Sequence, residues 1–243
     1  MGQLRRSVYL IGGIRQNLLI LSKLYLVPTP VGNLGDMTFR AVEVLKSVDA
    51  VLAEDTRTSG KLFKHYEIEN SMIPFHAHNE HRMLERIMER LNRGENLALI
   101  TDAGTPGVSD PGFLLVRACA EADIQVETLP GATAVIPALI NSGLPCDRFC
   151  FEGFLPPKKG RNKRLAKLVE EERTMIFYES PHRIVKTLAQ LAETLGPDRP
   201  CALIREISKI HEETKRGTLG NLAEACAQTP PKGEMVLVVQ GNR

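Results

Sequence analysis

Short β-rich apolar runs alternate with helical patterns along most of this chain, and this alternation limits what the chain can fold into. The apolar runs at 24–27, Ala50–Ala53 and Leu97–Ile100 are separated by helical patterns such as 38–47 and 112–121. The alternation predicts an α/β fold in which crossover helices connect the strands of a parallel sheet. Sheets of this kind bind ligands beyond the carboxyl ends of their strands, so the loops there are the first places to search.

Three of those loops are rich in glycine and proline. They cover residues 28–36, 102–112 and 129–133. Glycine allows the backbone to approach a ligand closely, and proline restricts the conformations that a loop can adopt. A single loop of this composition is often simple turn chemistry. Three in succession, each at the end of a predicted strand, indicate a ligand-binding cleft.

The pattern changes at residues 141–145, where the sequence Asn-Ser-Gly-Leu-Pro suits a linker. We therefore expect an N-terminal extension (1–22), an N-terminal α/β domain (23–143) and a C-terminal α/β domain (144–243). The predicted helices of the second domain are 161–171, 181–195 and 219–227. Its predicted strands are 149–154, 174–178, 201–207, 213–218 and 234–239.

The charge and cysteine content limit the kinds of partner. The net charge is only +2, but residues 1–146 carry 14 Lys and Arg against 16 Asp and Glu, whereas 147–243 carry 17 against 13. A polyanion would therefore bind a local basic patch, and the second half favours one. The five cysteines lack the spacing of a disulfide framework or a zinc site, and no apolar run approaches the roughly 20 residues of a membrane span. We expect a cytosolic protein without structural metal or membrane segment.

The chain contains neither the G-x-G-x-x-G fingerprint of dinucleotide-binding folds nor the P-loop that binds nucleotide phosphates. A different series of motifs runs through residues 24–240. The motifs are LVPTPVGNL (26–34), AEDTR (53–57), HNE (78–80), TDAGTP (101–106), LPG (129–131), RFC (148–150), EGFLP (152–156), YESPHR (178–183), RE (205–206) and GEM (233–235).

This series resembles the tetrapyrrole methylase superfamily, and specifically its ribosomal-RNA branch. The tetrapyrrole enzymes carry a more glycine-rich first loop, whereas Pro28, Thr29 and Pro30 stand there in this chain. That branch uses S-adenosyl-L-methionine to methylate the ribose 2′-hydroxyl of a decoding-centre cytidine in 16S rRNA. The resemblance implies a class III methyltransferase fold, with two α/β domains and the cofactor cleft between them. It also implies a cytoplasmic homodimer that acts on 16S rRNA in the 30S subunit.

The resemblance further implies which residues contact the cofactor. The first domain would supply Pro30, Asp102, Gly104, Thr105, Pro130 and Gly131, and the second would supply Tyr178 and Gly233. Asp102 has a second interpretation, because a carboxylate directly after a buried strand can also cap the next helix.

A ribose hydroxyl is a weak nucleophile, so we expect a side chain to accept or polarise its proton during methyl transfer. Glu54, Asp55 and Arg57 follow the second predicted strand, where they either orient the ribose or pair with one another as a surface salt bridge. Glu179 belongs to the motif that would approach from the second domain. The sequence does not choose among these groups.

Three histidines and a glutamate stand within residues 76–81, which also suits a metal site. The same segment opens a predicted helix, in which Asn79 is a plausible cap and Glu80 favours the positive helix end. The corresponding family motif is not a metal site. We therefore expect no metal, and we keep His78 and Glu80 as candidates on the substrate side.

The densest basic stretch places five cations within seven positions. They are Lys158, Lys159, Arg161, Lys163 and Arg164. Such a stretch is either the solvated face of a helix or a basic loop that binds RNA phosphates beside the cleft. In a chain of otherwise balanced charge, we predict RNA contact.

Two other functions stay open from the sequence. A methyltransferase acting on a tetrapyrrole or another small molecule would have a similar cofactor cleft, and a noncatalytic RNA-binding assembly factor would keep the fold. The chain ends three residues after Gln240, whereas many family members continue into a small helical C-terminal domain. We expect any RNA contacts of that domain to be absent or replaced.

Overall fold

A computed structural model describes residues 22–242 and arranges them around two five-stranded sheets. The predicted N-terminal extension lies outside the described residues, apart from its last residue. The first sheet has the spatial order β3-β2-β4-β1-β5, and all of its strand pairs are parallel. Its strands and their helices are β1 (Lys23–Leu26), α1 (Phe39–Ser47), β2 (Ala50–Ala53), α2 (Thr56–His65), β3 (Met72–Pro74), α3 (Glu80–Asn92), β4 (Leu97–Ile100), α4 (Phe113–Glu121) and β5 (Gln125–Thr128).

The second sheet has the order β6-β7-β10-β8-β9 and is mixed. Only β6 and β7 pair in parallel, whereas the other three pairs are antiparallel. The remaining elements are α5 (Val135–Ser142), β6 (Phe149–Phe154), α6 (Arg161–Leu168), β7 (Thr174–Glu179), α7 (Ile184–Leu195), β8 (Pro200–Arg205), β9 (Glu213–Thr218), α8 (Leu219–Gln228) and β10 (Met235–Val239).

Local sequence explains where several elements begin. Every residue of β2 and β4 is buried, as expected for central strands that helices cover on both faces. The Thr38 side chain caps α1 by accepting a hydrogen bond from Ala41 N, and Asp55 caps α2 by accepting one from Arg57 N. Helix α2 therefore begins directly beyond the carboxyl end of β2, whereas a loop of twelve residues separates β1 from α1.

The predicted α/β architecture is confirmed, and Ala50–Ala53, Leu97–Ile100, Phe149–Phe154 and Glu213–Thr218 agree with the sequence-based bounds. The sequence did not indicate α2 or α5. Helix α5 follows the first sheet in sequence but packs Val135, Ala138 and Leu139 against the apolar face of the second sheet. The domain boundary at residue 143 stays a prediction. Within residues 22–242, no helix is long and apolar enough to cross a bilayer.

Candidate functional site

The loops after β1 and β4 are joined to each other at the carboxyl edge of the first sheet. Thr29 and Gly104 form an isolated antiparallel bridge, in which Thr29 N donates to Gly104 O at 3.0 Å and Gly104 N donates to Thr29 O at 2.9 Å. The Thr29 hydroxyl also donates to Thr101 O at 2.8 Å. These hydrogen bonds join two of the three glycine- and proline-rich loops, 28–36 and 102–112. Residues of both loops line two cavities.

The first cavity lies between the two sheets and has a volume of about 280 Å³. The 103–110 loop and the start of α5 form one side, and the ends of β7, β8 and β10 form the other. Its apolar wall includes Tyr178, Ile204 and Val236, whereas Thr105 and Asp110 contribute polar groups. An apolar pocket with a few convergent polar groups is the usual form of a small-molecule site.

The second cavity, of about 490 Å³, lies on the other side of the first loop. It is bordered by the 29–34 loop, helix α2, residues 101–103 and the turn after β8. Ala103 and Glu234 line both cavities. The two cavities are therefore neighbours at these two residues.

Three carboxylates near this junction influence one another. Burial, followed by the charges of Glu54 and Asp102, raises the pKa of Asp110 to about 6. Burial also raises the pKa of Glu54, whose Oε2 accepts a hydrogen bond from Asp102 N at 3.3 Å. For Asp102, burial and then the charge of Asp55 raise the pKa. Burial first, and then repulsion by neighbouring carboxylates, brings such groups closer to the range of proton exchange at neutral pH.

Sequence reasoning missed Asp110, which lines the first cavity. Burial and then the Asp110 charge raise the pKa of Tyr178 to about 12, so this phenol stays protonated near a carboxylate. The Tyr178 ring packs against Phe151 and Phe154, with ring centroids 5.0 and 5.6 Å apart. Asp110 belongs to the second glycine- and proline-rich loop. Its place in the sequence Ser-Asp-Pro-Gly (109–112) could have marked it as a candidate ligand-binding residue.

The residues predicted to bind the cofactor separate into three groups. Gly104, Thr105 and Tyr178 line the first cavity, whereas Pro30 and Asp102 line the second. Pro130, Gly131 and Gly233 line neither cavity. The cofactor contacts of all eight residues stay predictions, and the place of Pro30 and Asp102 in the second cavity also allows a contact with the substrate.

The two glycines outside the cavities have packing reasons instead. A Cβ atom on Gly131 would lie 2.8 Å from Pro28 Cβ, so the glycine allows the third loop to pack on the first. Gly233 has a φ of +90°, and a Cβ there would lie 2.4 Å from Glu206 Oε1. These glycines shape the loops that surround the cavities, which accounts for their place in the motifs.

Two of the predicted catalytic carboxylates accept hydrogen bonds from other segments of the chain. Glu80 is buried, and its Oε1 accepts hydrogen bonds from Gly112 N at 3.0 Å and Leu114 N at 3.3 Å, which fixes the loop that carries Asp110. Glu179 lines the first cavity, but its Oε2 accepts a hydrogen bond from Thr187 Oγ1 at 2.6 Å. These hydrogen bonds occupy oxygens of both carboxylates, and their role as proton acceptors stays a prediction.

Asp55 and Arg57 form the surface pair that was one of their two interpretations. Arg57 Nη2 lies 2.7 Å from Asp55 Oδ2, and the Arg57 side chain is 89% exposed. Hydrogen bonds from the side chain and backbone of Arg57 hold the pKa of Asp55 far below its usual range. Asp55 is therefore a poor proton acceptor at neutral pH.

The histidine segment does not gather a metal site. His78 is exposed, and the rings of His76 and His78 lie 6.0 Å apart. No group of three or more metal-binding side chains occurs in the described part of the chain. Asn79 stands at the start of α3 but does not cap it, since its amide accepts from His76 N and donates to Pro74 O.

The basic stretch is not uniformly exposed. Arg161 is only 4% exposed, and its guanidinium donates to Gln190, Thr187 and Pro156 O. This engagement corrects the prediction that Arg161 contacts RNA. Arg164 pairs with Glu152, whereas Lys158, Lys159 and Lys163 are exposed at the start of α6.

Comparison with known proteins identifies the family. Residues 23–223 match the family described as Tetrapyrrole (Corrin/Porphyrin) Methylases. A protein of Synechocystis sp. named "Ribosomal RNA small subunit methyltransferase I" is 52% identical over 219 residues, which cover 90% of this chain and 78% of the relative. The protein of that name from Escherichia coli O157:H7 is 47% identical over 224 residues, covering 91% and 78%.

A solved structure of diphthine synthase is similar in fold, with a TM-score of 0.70 and 16% sequence identity over 90% of each chain. The chain belongs to the tetrapyrrole methylase family and, within it, to the ribosomal RNA small subunit methyltransferase I group.

Proposed function

We propose that this protein transfers a methyl group from S-adenosyl-L-methionine to the ribose 2′-oxygen of a decoding-centre cytidine in 16S rRNA. The observation that carries the proposal is the pair of cavities that adjoin at Ala103 and Glu234. Methyl transfer is an in-line displacement, so donor and acceptor must be held on opposite sides of one carbon. The RNA substrate is taken from the names of relatives that are about half identical to this chain.

The residues of the first cavity fit the cofactor. Its apolar wall suits a purine ring, Thr105 and Ser109 offer hydroxyl groups, and the Asp110 carboxylate suits the positive charges of a sulfonium amino acid. When bound, the cofactor supplies an electrophilic methyl group. Gly104, Thr105 and Tyr178 remain the proposed contacts from the sequence, and Asp110 joins them.

Asp102 is the proposed proton acceptor for the ribose hydroxyl. It lines the second cavity, follows the buried strand β4 and has a raised pKa. Glu54 accepts the Asp102 backbone N–H and is a positioning residue for that turn. General-base assistance of this kind typically contributes about 10²- to 10⁴-fold in rate.

Lys158, Lys159, Lys163 and Arg164 are proposed to contact RNA phosphates. They follow strand β6, whose last residue Phe154 lines the first cavity. The three lysines are exposed and available to a phosphate backbone, whereas Arg164 would have to exchange its pair with Glu152 for a phosphate. We further propose that the protein acts in the cytoplasm as a homodimer on the 30S subunit.

The competing function is methylation of a tetrapyrrole or another small molecule, for which the first cavity would be equally suitable. Labelled S-adenosyl-L-methionine should be incubated with 30S subunits that lack ribose methylation, and the modified nucleotide mapped by mass spectrometry. We expect label on the 2′-oxygen of one decoding-centre cytidine. Cofactor binding without label in rRNA would reject the RNA substrate and favour the small molecule. Absence of cofactor binding would leave only the noncatalytic RNA-binding factor.

A further inference from the structure

Helix α2 presents a cationic face to which the proposed function assigns no role. Arg57, Lys61 and Lys64 stand at positions i, i+4 and i+7, which lie on one side of an α-helix. The helix contains no acidic residue, and its acidic cap Asp55 pairs with Arg57. Lys61 and Lys64 are exposed and form no ion pair among residues 22–242. The opposite side of the helix buries Leu62 and Phe63 in the core.

The cationic face leads into the second cavity. Lys61 and Leu34 both line that cavity, and Tyr66, at the end of α2, donates a hydrogen bond to Leu34 O. Lys209 lines it from the second sheet, and its Nζ bridges Glu206 and Glu234 at 3.0 and 2.9 Å. Of the two lysines among the described residues that line this cavity, Lys209 is paired with carboxylates and Lys61 is not.

Two highly exposed apolar side chains are close in sequence to Leu34 and Lys209, which line the second cavity. Phe39 is 92% exposed and Ile210 is 97% exposed. The segment before Phe39 and the segment before Ile210 are joined, because Ser208 Oγ donates a hydrogen bond to Asp36 Oδ2 at 3.0 Å. One exposed apolar residue needs no explanation, but an aromatic ring and an aliphatic side chain on two joined segments that also carry cavity residues favour a binding surface. Single-stranded RNA is bound by cations that follow its phosphates and by side chains on which its bases stack.

We propose that the α2 face, together with Phe39 and Ile210, docks the single-stranded RNA segment that flanks the target nucleotide. Lys61 and Lys64 hold phosphates next to the second cavity, and Phe39 stacks on a neighbouring base. This inference rests on the proposed function and assigns its RNA-docking surface. The α6 cations then contact RNA farther from the target, since they lie on the side of the first cavity.

The test compares Lys61→Ala/Lys64→Ala with a matched control, Lys46→Ala/Lys167→Ala. The control also removes two exposed helical lysines, but these occupy the last turns of α1 and α6, away from the carboxyl edges of the sheets. We expect the KM for undermethylated 30S subunits to rise about tenfold in the α2 variant and less than about twofold in the control. The salt dependence of binding should weaken by roughly 0.7 per lost phosphate contact in the α2 variant alone.

Two further readouts separate the possible failures. Phe39→Ala should raise the same KM several-fold without changing the molar mass in light scattering. Wild-type KM in the α2 variant, or an equal rise in the control, would overturn the docking surface while the proposed function stands. A change in oligomeric state on Phe39→Ala would also overturn it, because the patch would then bind a second copy. If wild-type protein leaves rRNA unlabelled, the proposed function itself fails.

Discussion

The two cavities share two lining residues but differ in size and in the charged groups that border them. The first is bounded by both sheets, has an apolar lining and contains a partly buried acid, Asp110. The second is larger and is bordered by a cationic helix, and Asp102 is one of its lining residues. Under the proposed function, the first cavity encloses a small cationic molecule, whereas the second receives one unit of a polymer whose remainder stays outside. Ala103 and Glu234 line both cavities and therefore border both proposed ligands.

The largest expected effect is on catalysis in the second cavity. Asp102→Asn removes the proposed proton acceptor and should lower kcat on the order of 100-fold. Cofactor affinity, measured by calorimetry, should change little, because Asp102 does not line the first cavity. Asp123→Asn is the matched control, since Asp123 is exposed and asparagine tolerates its φ of 56°. If Asp102→Asn lowered cofactor affinity as much as kcat, Asp102 would be a cofactor contact, and the proposed separation of the two cavities would be wrong.

The converse effect should appear in the first cavity. Asp110→Asn removes a carboxylate facing a cationic ligand, and the loss of a charged hydrogen bond costs about 1.5–3 kcal/mol, so the Kd for S-adenosyl-L-methionine should rise about 30-fold. The same Asp123→Asn control should leave the Kd unchanged. The KM for 30S subunits should also stay near the wild-type value. A raised KM with intact cofactor binding would assign Asp110 to the substrate instead.

The wall of the first cavity depends on a buried ionic network. Arg161 donates to Thr187, which donates to Glu179, and Arg183 lies 3.3 Å from Glu179. Arg161→Met should lower the free energy of unfolding by about 2 kcal/mol, because buried polar groups lose their partner. Lys163→Met, two residues along the same helix, should have no measurable effect. Urea denaturation of both variants measures this, and equal stabilities would contradict the burial of Arg161.

A smaller effect concerns pH. The Asp110 pKa of about 6 lies above its unfolded value of about 4, so the folded state binds the extra proton and unfolding free energy falls as pH rises between those values. A cationic ligand needs the ionised form. Cofactor affinity should therefore rise about tenfold per pH unit up to about 6 and then level off. Calorimetry from pH 5 to pH 8 tests this, and a flat profile, or one unchanged in Asp110→Asn, would contradict the pairing.

The sequence predicted the architecture better than the roles of individual side chains. Apolar runs such as Leu97–Ile100 are visible because a central parallel strand is buried on both faces. Helix α2 was missed since its apolar positions are few and its outer face is cationic. Arg161 and Lys163 look alike in sequence, and only the packing of α6 on α7 buries the first. Asp102 and Asp110 occupy one loop, yet the Thr29–Gly104 bridge directs them to different cavities.

The central claim is that the cofactor occupies the first cavity and that the second stays free for RNA. A crystal structure with S-adenosylhomocysteine tests it most directly. The account predicts ligand density between Tyr178 and the Gly104–Asp110 segment, with the second cavity containing solvent only. Density for the ligand beside Lys61 in the second cavity would contradict it.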